Sequence, residues 1–453
     1  MPKLNLKKTA LCCLATGSLF LAGNALSQSM EKVMTLADAV ASGVASNPEF
    51  GEVANNRQAT EQELEQAWAQ YFPSVDLQAD GGYEYTENSS TRNDGDGDDS
   101  EGLGRYNGQV SVTQLLFDGF ETQTEIDRQE NRTRSADFRV RETSELVGLD
   151  IVEAYLEVIQ QRDLLRIARD NVQKHLEILE QIDQGLQAGR STQADVDQVR
   201  ARLSAARAQE ARTRQDLRVA EADFNREVGM MPGSLTVPAT PYSALTDNVS
   251  AEVNQALENS PTLQIAEADI DVSEAEYDQT QSPFYPQFDL ELSARGGENL
   301  NGIEESDKSA AALVLMNWNL YRGGEDTARR REFLYRLAES KETRSRIARE
   351  VENNVRQTWA RMVASRERAA EFREQARANR NLVEAYFDQF NLDRRTLLDV
   401  LDAQNELFVS RSNIVNEETV EKFSAYNLLS LKGQLFPALG ISYPEVTQAS
   451  SQY

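Results

Sequence analysis

Hydrophobic and polar positions change their period along the chain, and they do so in the same order in each half. Ala37 to Trp68 and Val253 to Tyr277 have the pattern of helices. Residues 74–80 and 287–294 then alternate apolar with polar side chains, which indicates strands with one apolar face. The chain is therefore predicted to pass from helix to strand twice.

A second strand follows the first in each half, at about Tyr106 to Leu116 and about Ala310 to Leu320. The segments between the paired strands, Glu87 to Gly104 and Gly296 to Lys308, are polar and differ in length. Each half is therefore predicted to contribute one β-hairpin.

Two long segments, Gly119 to about Leu186 and Gly323 to about Leu392, contain no proline and are rich in Ala, Glu, Arg, Gln and Leu. A helix of roughly 70 residues is about 100 Å long. Such a helix cannot be the core of a compact domain, so two coiled-coil rods are predicted.

Each rod ends at a tight turn, Ala188 to Thr192 in the first half and Asn391 to Thr396 in the second. Return helices are predicted from about Thr192 to Glu227 and from about Thr396 to Leu431. The second return helix has an apolar seam for packing on its partner rod, formed by Leu397, Leu401, Gln404 and Phe408.

The halves share local motifs as well as the order of their elements. Each contains two prolines 25 positions apart, Pro48 with Pro73 and Pro261 with Pro286. The motifs Leu-Phe-Asp-Gly and Leu-Tyr-Arg-Gly close corresponding strands. An internal duplication is therefore predicted, with the first repeat at residues 28–230, a linker at 231–248, the second repeat at 249–436 and a C-terminal tail at 437–453.

The first 27 residues have the pattern of a secretory signal peptide. Three lysines precede an apolar run from Ala10 to Gly23, and Ala25-Leu26-Ser27 is typical of a cleavage site. Cys12 and Cys13 lie at the start of that run. A lipoprotein would need the apolar run before its modified cysteine, so that alternative is disfavoured and the exported chain is predicted to lack cysteine.

A membrane-spanning helix is not predicted anywhere in the chain. The apolar run of the signal is too short, and no later stretch approaches the roughly 20 apolar residues that a spanning helix needs. If the exported chain enters a membrane, strands must cross it.

The formal net charge is -27, which argues against nucleic acid and anionic lipid surfaces as partners. The one histidine, His175, lies in a long polar helix without a Cys or His cluster. Phosphate-binding loops, nucleophile elbows and zinc signatures are absent from the sequence. We therefore predict no cofactor, no metal and no enzymatic activity.

The acidic run Asp94 to Asp99 has some likeness to a calcium-binding loop. An EF-hand requires Gly at its sixth position and Glu at its twelfth, where this chain has Asp99 and Arg105. The run is therefore predicted to be a solvated loop.

Four strands per chain are too few to close a membrane barrel, because the smallest single-chain barrels need about eight. Three chains would supply twelve, and would place the long helices around the same axis. The predicted fold class is mainly α, with a trimeric 12-stranded β-barrel continuous with a long α-helical coiled-coil barrel.

The duplicated unit, its strand-start motifs Tyr-Phe-Pro and Tyr-Pro, and the run RTLLDVLDAQNEL at Arg395 to Leu407 resemble the TolC outer-membrane factor family over essentially the whole exported chain. Asp137 to Val158 is most similar to members that work in type I secretion. The resemblance implies a homotrimeric exit duct in contact with outer-membrane lipid and with a long periplasmic extension. Its implied partners are a periplasmic adaptor (membrane fusion) protein and an inner-membrane ABC exporter or proton-driven pump.

The resemblance also implies a gate at the periplasmic end of the rods. Arg395 matches the family's linking arginine, and Asp195 matches its acidic partner. Asp399 and Asp402 match the aspartates that ring the constriction. The tyrosine of a second link is Phe390 here, so we expect that link to be absent and the link between Arg395 and Asp195 to carry more of the closure.

The two turns are exposed reversals at the far end of the rods, and they are therefore a candidate docking surface for the adaptor. Gly189 also has the position of a helix-ending glycine, and both interpretations can hold. The candidate docking residues are Gly189, Arg190, Ser191, Thr192, Asp393, Arg394 and Thr396.

Two alternatives to a protein-secretion duct stay open. A drug or metal efflux duct has the same fold and differs in its cargo and transporter. A periplasmic coiled-coil scaffold without a pore is a protein of a different class, and the pair of hairpins, which a scaffold does not need, argues against it.

Overall fold

The computed structural model describes residues 33–89, 101–392 and 394–444. The predicted signal peptide, the acidic run Asp94 to Asp99, Asp393 and residues 445–453 lie outside the described residues. Helices make up most of the described chain, and four strands form one sheet.

The elements follow the same order in both halves of the chain. The first half contains α1 (Leu36–Ser46), α2 (Pro48–Ala69), β1 (Ser74–Thr86), β2 (Glu101–Phe117), α3 (Glu121–Gln187) and α4 (Gln193–Val228). The second contains α5 (Val249–Asn259), α6 (Pro261–Gln279), β3 (Gln287–Glu298), β4 (Ser306–Asn317), α7 (Glu325–Asn391) and α8 (Leu397–Leu431), and the short α9 (Leu435–Leu439) follows.

The helical segment before each hairpin is broken at a proline. Asn47 has an extended backbone, and its side chain accepts a hydrogen bond from the Glu49 amide to begin α2. The residue before a proline is disfavoured in a helix, and Pro48 itself has no amide hydrogen to donate. The single helices predicted from Ala37 to Trp68 and from Val253 to Tyr277 are therefore wrong in this detail.

The strands form one antiparallel sheet in the order β1-β2-β3-β4. The two predicted hairpins are confirmed, and the pairing of β2 with β3 joins them into one sheet. Within the described residues, β1 and β4 each have a strand partner on one side only. β4 ends at Asn317, before the predicted end at Leu320.

The register places apolar side chains of all four strands on one face of the sheet. Two of its cross-strand rows are Leu77–Val110–Ala294–Ala310 and Val75–Val112–Leu292–Ala312. The rest of the chain does not cover this face, since the exposed fraction is 75% for Leu77 and 69% for Val75. An apolar face of this extent requires a partner other than water.

The opposite face of the sheet is polar on β1, β3 and most of β2, whereas β4 presents Ala311, Leu313 and Leu315 there. Arg295 donates to Asn107 at 2.9 Å, and Asn107 donates to Asp80 at 3.0 Å. Arg105 also bonds Asp80, at 2.7 Å. The sheet therefore has one apolar face and one face that is polar on three of its four strands.

The predicted rods are confirmed, because α3 and α7 each span 67 residues and are therefore about 100 Å long. The shorter α4 packs along α3, and α8 packs along α7. No helix in the described part of the chain combines the length and the apolar character needed to cross a bilayer.

The largest hydrophobic cluster surrounds the middle of α3, where α1, α4, α8 and α9 pack against it. Ile151, Tyr155 and Phe224 are fully buried there. The Tyr155 hydroxyl lies 2.9 Å from the carbonyl oxygen of Met34 and 2.7 Å from that of Thr236. The segments before α1 and after α4 are thereby fixed to the same helix.

A buried carboxyl group holds the segment after α8 against α3. Glu145 accepts a hydrogen bond from the Leu435 amide at 3.1 Å and another from the Tyr443 hydroxyl. Burial raises the pKa of Glu145 to about 7. Between the ordinary pKa of 4.5 and the raised value of about 7, the folded chain therefore binds a proton at Glu145 that the unfolded chain has released.

We predict that Glu145→Gln removes a pH-dependent loss of stability. Because the folded-state pKa of Glu145 is about 7 and its ordinary value is 4.5, the folded state binds more protons between these values, and its stability falls as the pH rises through them. Thermal unfolding from pH 5 to 8 should show the wild-type midpoint falling relative to the variant. Parallel curves for the two proteins would contradict this assignment.

Candidate functional site

The two turns at the far end of the rods contain most of the residues that the sequence singled out. In the first turn, Gly189 has φ of +72°, a conformation that favours glycine. The amides of Arg190 and Ser191 both donate to the Gly185 carbonyl, at 2.8 and 3.3 Å. Gly189 therefore ends α3 as the sequence predicted. In the second turn, the Arg394 amide donates to the Gln389 carbonyl at 2.9 Å.

A capping box begins the return helix after each turn. The Thr192 hydroxyl and amide both donate to the Asp195 carboxylate at 2.8 Å, and the Asp195 amide donates back to the hydroxyl at 3.2 Å. Thr396 and Asp399 form the same arrangement in the second repeat, with a hydroxyl-to-carboxylate distance of 2.8 Å. Two of the predicted gate aspartates therefore begin helices.

Arg395 is held by three groups of its own chain. Its Nε donates to Gln389 Oε1 at 3.2 Å, and its Nη1 lies 3.9 Å from Asp399 Oδ2. Its Cζ lies 4.1 Å from the ring centroid of Tyr386. The guanidinium group thus lies beside Asp399, one of the predicted constriction carboxylates, where its positive charge can partly neutralise the carboxylate.

The expected link between Arg395 and Asp195 is not formed within one described chain. Asp195 is used in its capping box, and Arg395 pairs with Asp399 instead. The reason is local: each aspartate is three residues after a threonine whose amide needs an acceptor, and that partner is nearer than any on the other helix pair. A link between neighbouring chains stays a prediction.

Asp402 has a partner that the sequence did not suggest. Its carboxylate accepts a hydrogen bond from Arg202 of α4 at 2.9 Å, and both side chains are about half-exposed. Asp402 therefore connects the two helix pairs, while Asp399 contacts only its own turn. Moving Asp402 therefore requires its ion pair with Arg202 of the other helix pair to break, whereas moving Asp399 requires only contacts within its own turn to break.

Phe390 lies in the hydrophobic cluster beneath the turns, which we call the tip cluster. The buried members of the tip cluster are Ile178, Ile182, Val196, Val199, Leu397, Val400 and Leu401, and Leu179, Leu186, Tyr386, Phe387 and Phe390 pack against them. The cluster includes the predicted seam residues Leu397 and Leu401. Phe390 is partly buried against these apolar side chains, where an aromatic ring without a hydroxyl is accommodated.

The predicted docking residues are mostly accessible. Gly189, Arg190, Thr192, Arg394 and Thr396 are exposed and Ser191 is half-buried, while Asp393 lies outside the described residues. Above the turns, a groove of about 600 Å³ runs between α3 and α7. Val400, Gln404 and Leu407 of α8 form its floor, and Asp170, Lys174, Arg380 and Glu384 are among the residues of its walls.

Tyr386 and Arg202 are the contacts that the sequence analysis missed. Tyr386 precedes Arg395 by nine positions, and the turn alone brings the ring and the guanidinium together. The Thr-x-x-Asp spacing of the two capping boxes, by contrast, is a helix-start signal in the sequence itself, although the sequence analysis assigned its aspartates to a gate and its threonines to a docking surface.

His175 is buried, and its Nδ1 lies 2.8 Å from the Asn171 carbonyl oxygen. Burial lowers the pKa of His175 below its ordinary value, so the ring is neutral at physiological pH. Within the described residues, no group of three or more His, Cys, Asp or Glu side chains is arranged to hold a metal ion.

Residues 42–229 and 253–434 match the sequence model of the family described as "Outer membrane efflux protein". Two curated proteins are similar over most of their length. The outer membrane efflux protein BepC of Brucella suis is 25% identical over 72% of each chain. The alkaline protease secretion protein AprF of Pseudomonas aeruginosa is 23% identical over 81% of this chain and 78% of its own.

The fold is similar to that of a solved outer-membrane channel. The CmeC outer membrane channel of Campylobacter jejuni superposes with a TM-score of 0.77, covering 92% of this chain and 88% of that one, at 12% sequence identity. At this identity the similarity concerns the fold.

We predict that Thr396→Ala weakens the second turn without unfolding the chain. Losing the hydroxyl removes one end of the capping box, which costs about 1 kcal/mol. Hydrogen exchange should rise in the first turn of α8 and stay unchanged in α4, and the matched variant Thr192→Ala should give the reverse. Equal exchange in both helices for either variant would contradict the capping assignment.

Proposed function

This chain belongs to the outer membrane efflux protein family, and on that premise we propose that three copies form an exit duct for a type I protein secretion system. The family consists of outer-membrane channels, which are not enzymes. The chain is accordingly an outer-membrane protein with a long periplasmic helical extension. The exposed apolar face of the sheet is the observation that carries the proposal.

The apolar face supports a membrane location for the sheet. A lipid-facing strand presents apolar side chains to the bilayer at every second position and polar ones to the interior. The rows that contain Leu77 and Val75 have this arrangement, and the opposite face contains Asp80, Asn107 and Arg295. The first face would contact lipid, and the second would line water.

The free edges of β1 and β4 support closure by copies of the same chain. In a bilayer every backbone amide and carbonyl needs a partner, so an open four-stranded sheet cannot persist there. Pairing β4 of one chain with β1 of the next satisfies both edges and gives twelve strands when three chains close the ring. The rods, about 100 Å long, would then surround the same axis across the periplasm.

We assign the gate to the turns of the second repeat. Threefold symmetry would bring three copies of Asp399 and Asp402 to the axis, where carboxylates attract cations. Arg395 lies beside Asp399 and would neutralise part of that charge. Arg202 holds Asp402 toward α4 and would have to release it as the neck widens. Asp195 is retained as a partner for Arg395 of a neighbouring chain.

The exposed turns and the groove between α3 and α7 are the proposed docking surface for a periplasmic adaptor. The groove has a floor of Val400, Gln404 and Leu407, of which two are apolar, and charged walls of both signs, an arrangement that suits one face of an amphipathic helix. The adaptor would in turn contact an inner-membrane transporter.

Protein secretion is favoured for the cargo because AprF, to which this chain is similar over most of its length, is a secretion protein for an alkaline protease. A drug or metal efflux duct is the second candidate, since BepC is an efflux protein. Co-purification of the chain with an ATP-driven exporter would support secretion, and co-purification with a proton-driven pump would support efflux.

We predict that single-channel recording in planar bilayers shows small, cation-selective openings for the wild type. Arg395→Ala should enlarge the openings or make them more frequent, because the closed carboxylate ring loses its counter-charge. Asp402→Asn should reduce cation selectivity and leave the capping box of α8 intact. Asp197→Asn, which removes an exposed carboxylate of α4, is the matched control and should keep the selectivity.

An absence of conductance in folded, trimeric protein would contradict the duct and favour a scaffold. If the protein conducts but Arg395→Ala and Asp402→Asn leave its openings and cation selectivity unchanged, the duct remains supported and these residues are not part of the gate.

A further inference from the structure

An aromatic ring at the tip makes a close contact with the arginine of the proposed gate. The Cζ atom of Arg395 lies 4.1 Å from the ring centroid of Tyr386. The other arginine-to-ring distances of this kind in the described residues lie between 5.2 and 5.8 Å. A cation within about 6 Å of an aromatic face is attracted by the ring quadrupole, and this guanidinium group lies well inside that limit.

The ring is well placed to hold the arginine because it is itself held. Tyr386 is half-buried and packs in the tip cluster with Phe387 and Phe390. Gln389, three positions later on α7 and therefore on an adjacent part of its surface, accepts a hydrogen bond from Arg395 Nε at 3.2 Å. The ring face and the amide thus contact the guanidinium group from one helix, and Asp399 contacts it from the next.

The ring can replace a link that this chain lacks. The resemblance to the TolC family implies a tyrosine link at position 390, and Phe390 has no hydroxyl group with which to make it. Tyr386 is one helical turn earlier, and it contacts the arginine through its ring face. We therefore expect the aromatic ring of Tyr386 to hold Arg395 in position, and we expect no contribution from its hydroxyl group.

We propose that Tyr386 is a positioning residue that holds the Arg395 guanidinium beside Asp399 through a cation–π contact. The inference rests on the proposed function, since it deepens the role of Arg395 in a gated duct. Loss of the ring would leave Gln389 as the remaining contact of the guanidinium group on α7 and weaken the closed state of the turn.

The test is a graded series at residue 386, recorded as open probability in planar bilayers. Tyr386→Phe should behave as the wild type, because it keeps the ring face. Phenylalanines carrying one, two and three fluorine atoms should raise the open probability step by step, because fluorine withdraws charge from the ring at nearly constant shape. Tyr386→Leu should raise it about two- to fivefold, which is the effect expected of one such contact.

Two controls separate this inference from loss of packing and from the gate itself. Phe387→Leu removes a neighbouring ring of the tip cluster and should leave the open probability near the wild-type value. Tyr386→Leu added to Arg395→Ala should change nothing further, because the ring acts through the arginine.

Each remaining outcome has a defined meaning. If Arg395→Ala has no effect, the proposed gate fails and this inference fails with it. If Arg395→Ala opens the channel but the fluorinated series is flat, or Phe387→Leu opens it equally, the gate stands and the role of Tyr386 is overturned. The fluorinated series decides the question even if Tyr386→Leu does not fold.

Discussion

The two unpaired edges of the four-stranded sheet are the constraint on which the rest of the structure depends. Within the described residues, β1 and β4 each lack a partner on one side, and the sheet exposes an apolar face beside them. Water can hydrogen-bond the backbone groups at the strand edges, but its contact with the apolar face is unfavourable. Lipid can contact the apolar face, but it cannot hydrogen-bond the backbone groups at the edges. In the proposed trimer, closure with other copies in a bilayer would satisfy both requirements and would place the rods around one axis.

At the opposite end of the rods, short-range contacts decide the geometry. The capping boxes of Thr192 with Asp195 and of Thr396 with Asp399 direct each return helix out of its turn. Arg395 emerges from the second turn against α7, where Tyr386 and Gln389 contact it. Arg395 and Asp399 of the proposed gate are therefore also residues of the turn that reverses the chain.

Much of the fold could be predicted because its signals are local and occur twice. The period change from helix to strand, the proline pairs and the proline-free rods each appear in both halves, so each half supports the interpretation of the other. The break at Asn47 was missed although Asn-Pro is a known boundary signal, because the apolar pattern continues across it.

The contacts of the candidate site were harder to predict because they depend on geometry across helices. Arg202 and Asp402 are 200 positions apart in the chain and meet only after both helix pairs form. The burial of Glu145 depends on α9 and Tyr443, which have no periodic pattern pointing to α3. Motif correspondence linked Arg395 to Asp195, whereas within one chain Arg395 lies beside Asp399, and it could not indicate which ring would lie over the arginine.

Cysteine cross-linking of the sheet edges tests closure most directly. Ser309→Cys on β4 would be combined, in separate variants, with a cysteine at Gln78 or at another polar-face position along β1, because barrel closure staggers neighbouring strands. The other cysteines of the chain lie in the predicted signal peptide. Each variant would be treated with a thiol reagent spanning about 10 Å, or two strand spacings. That span is shorter than the three spacings between these positions within one chain. We expect covalent species that stop at three chains. Monomers alone, or a ladder continuing beyond three, would contradict it.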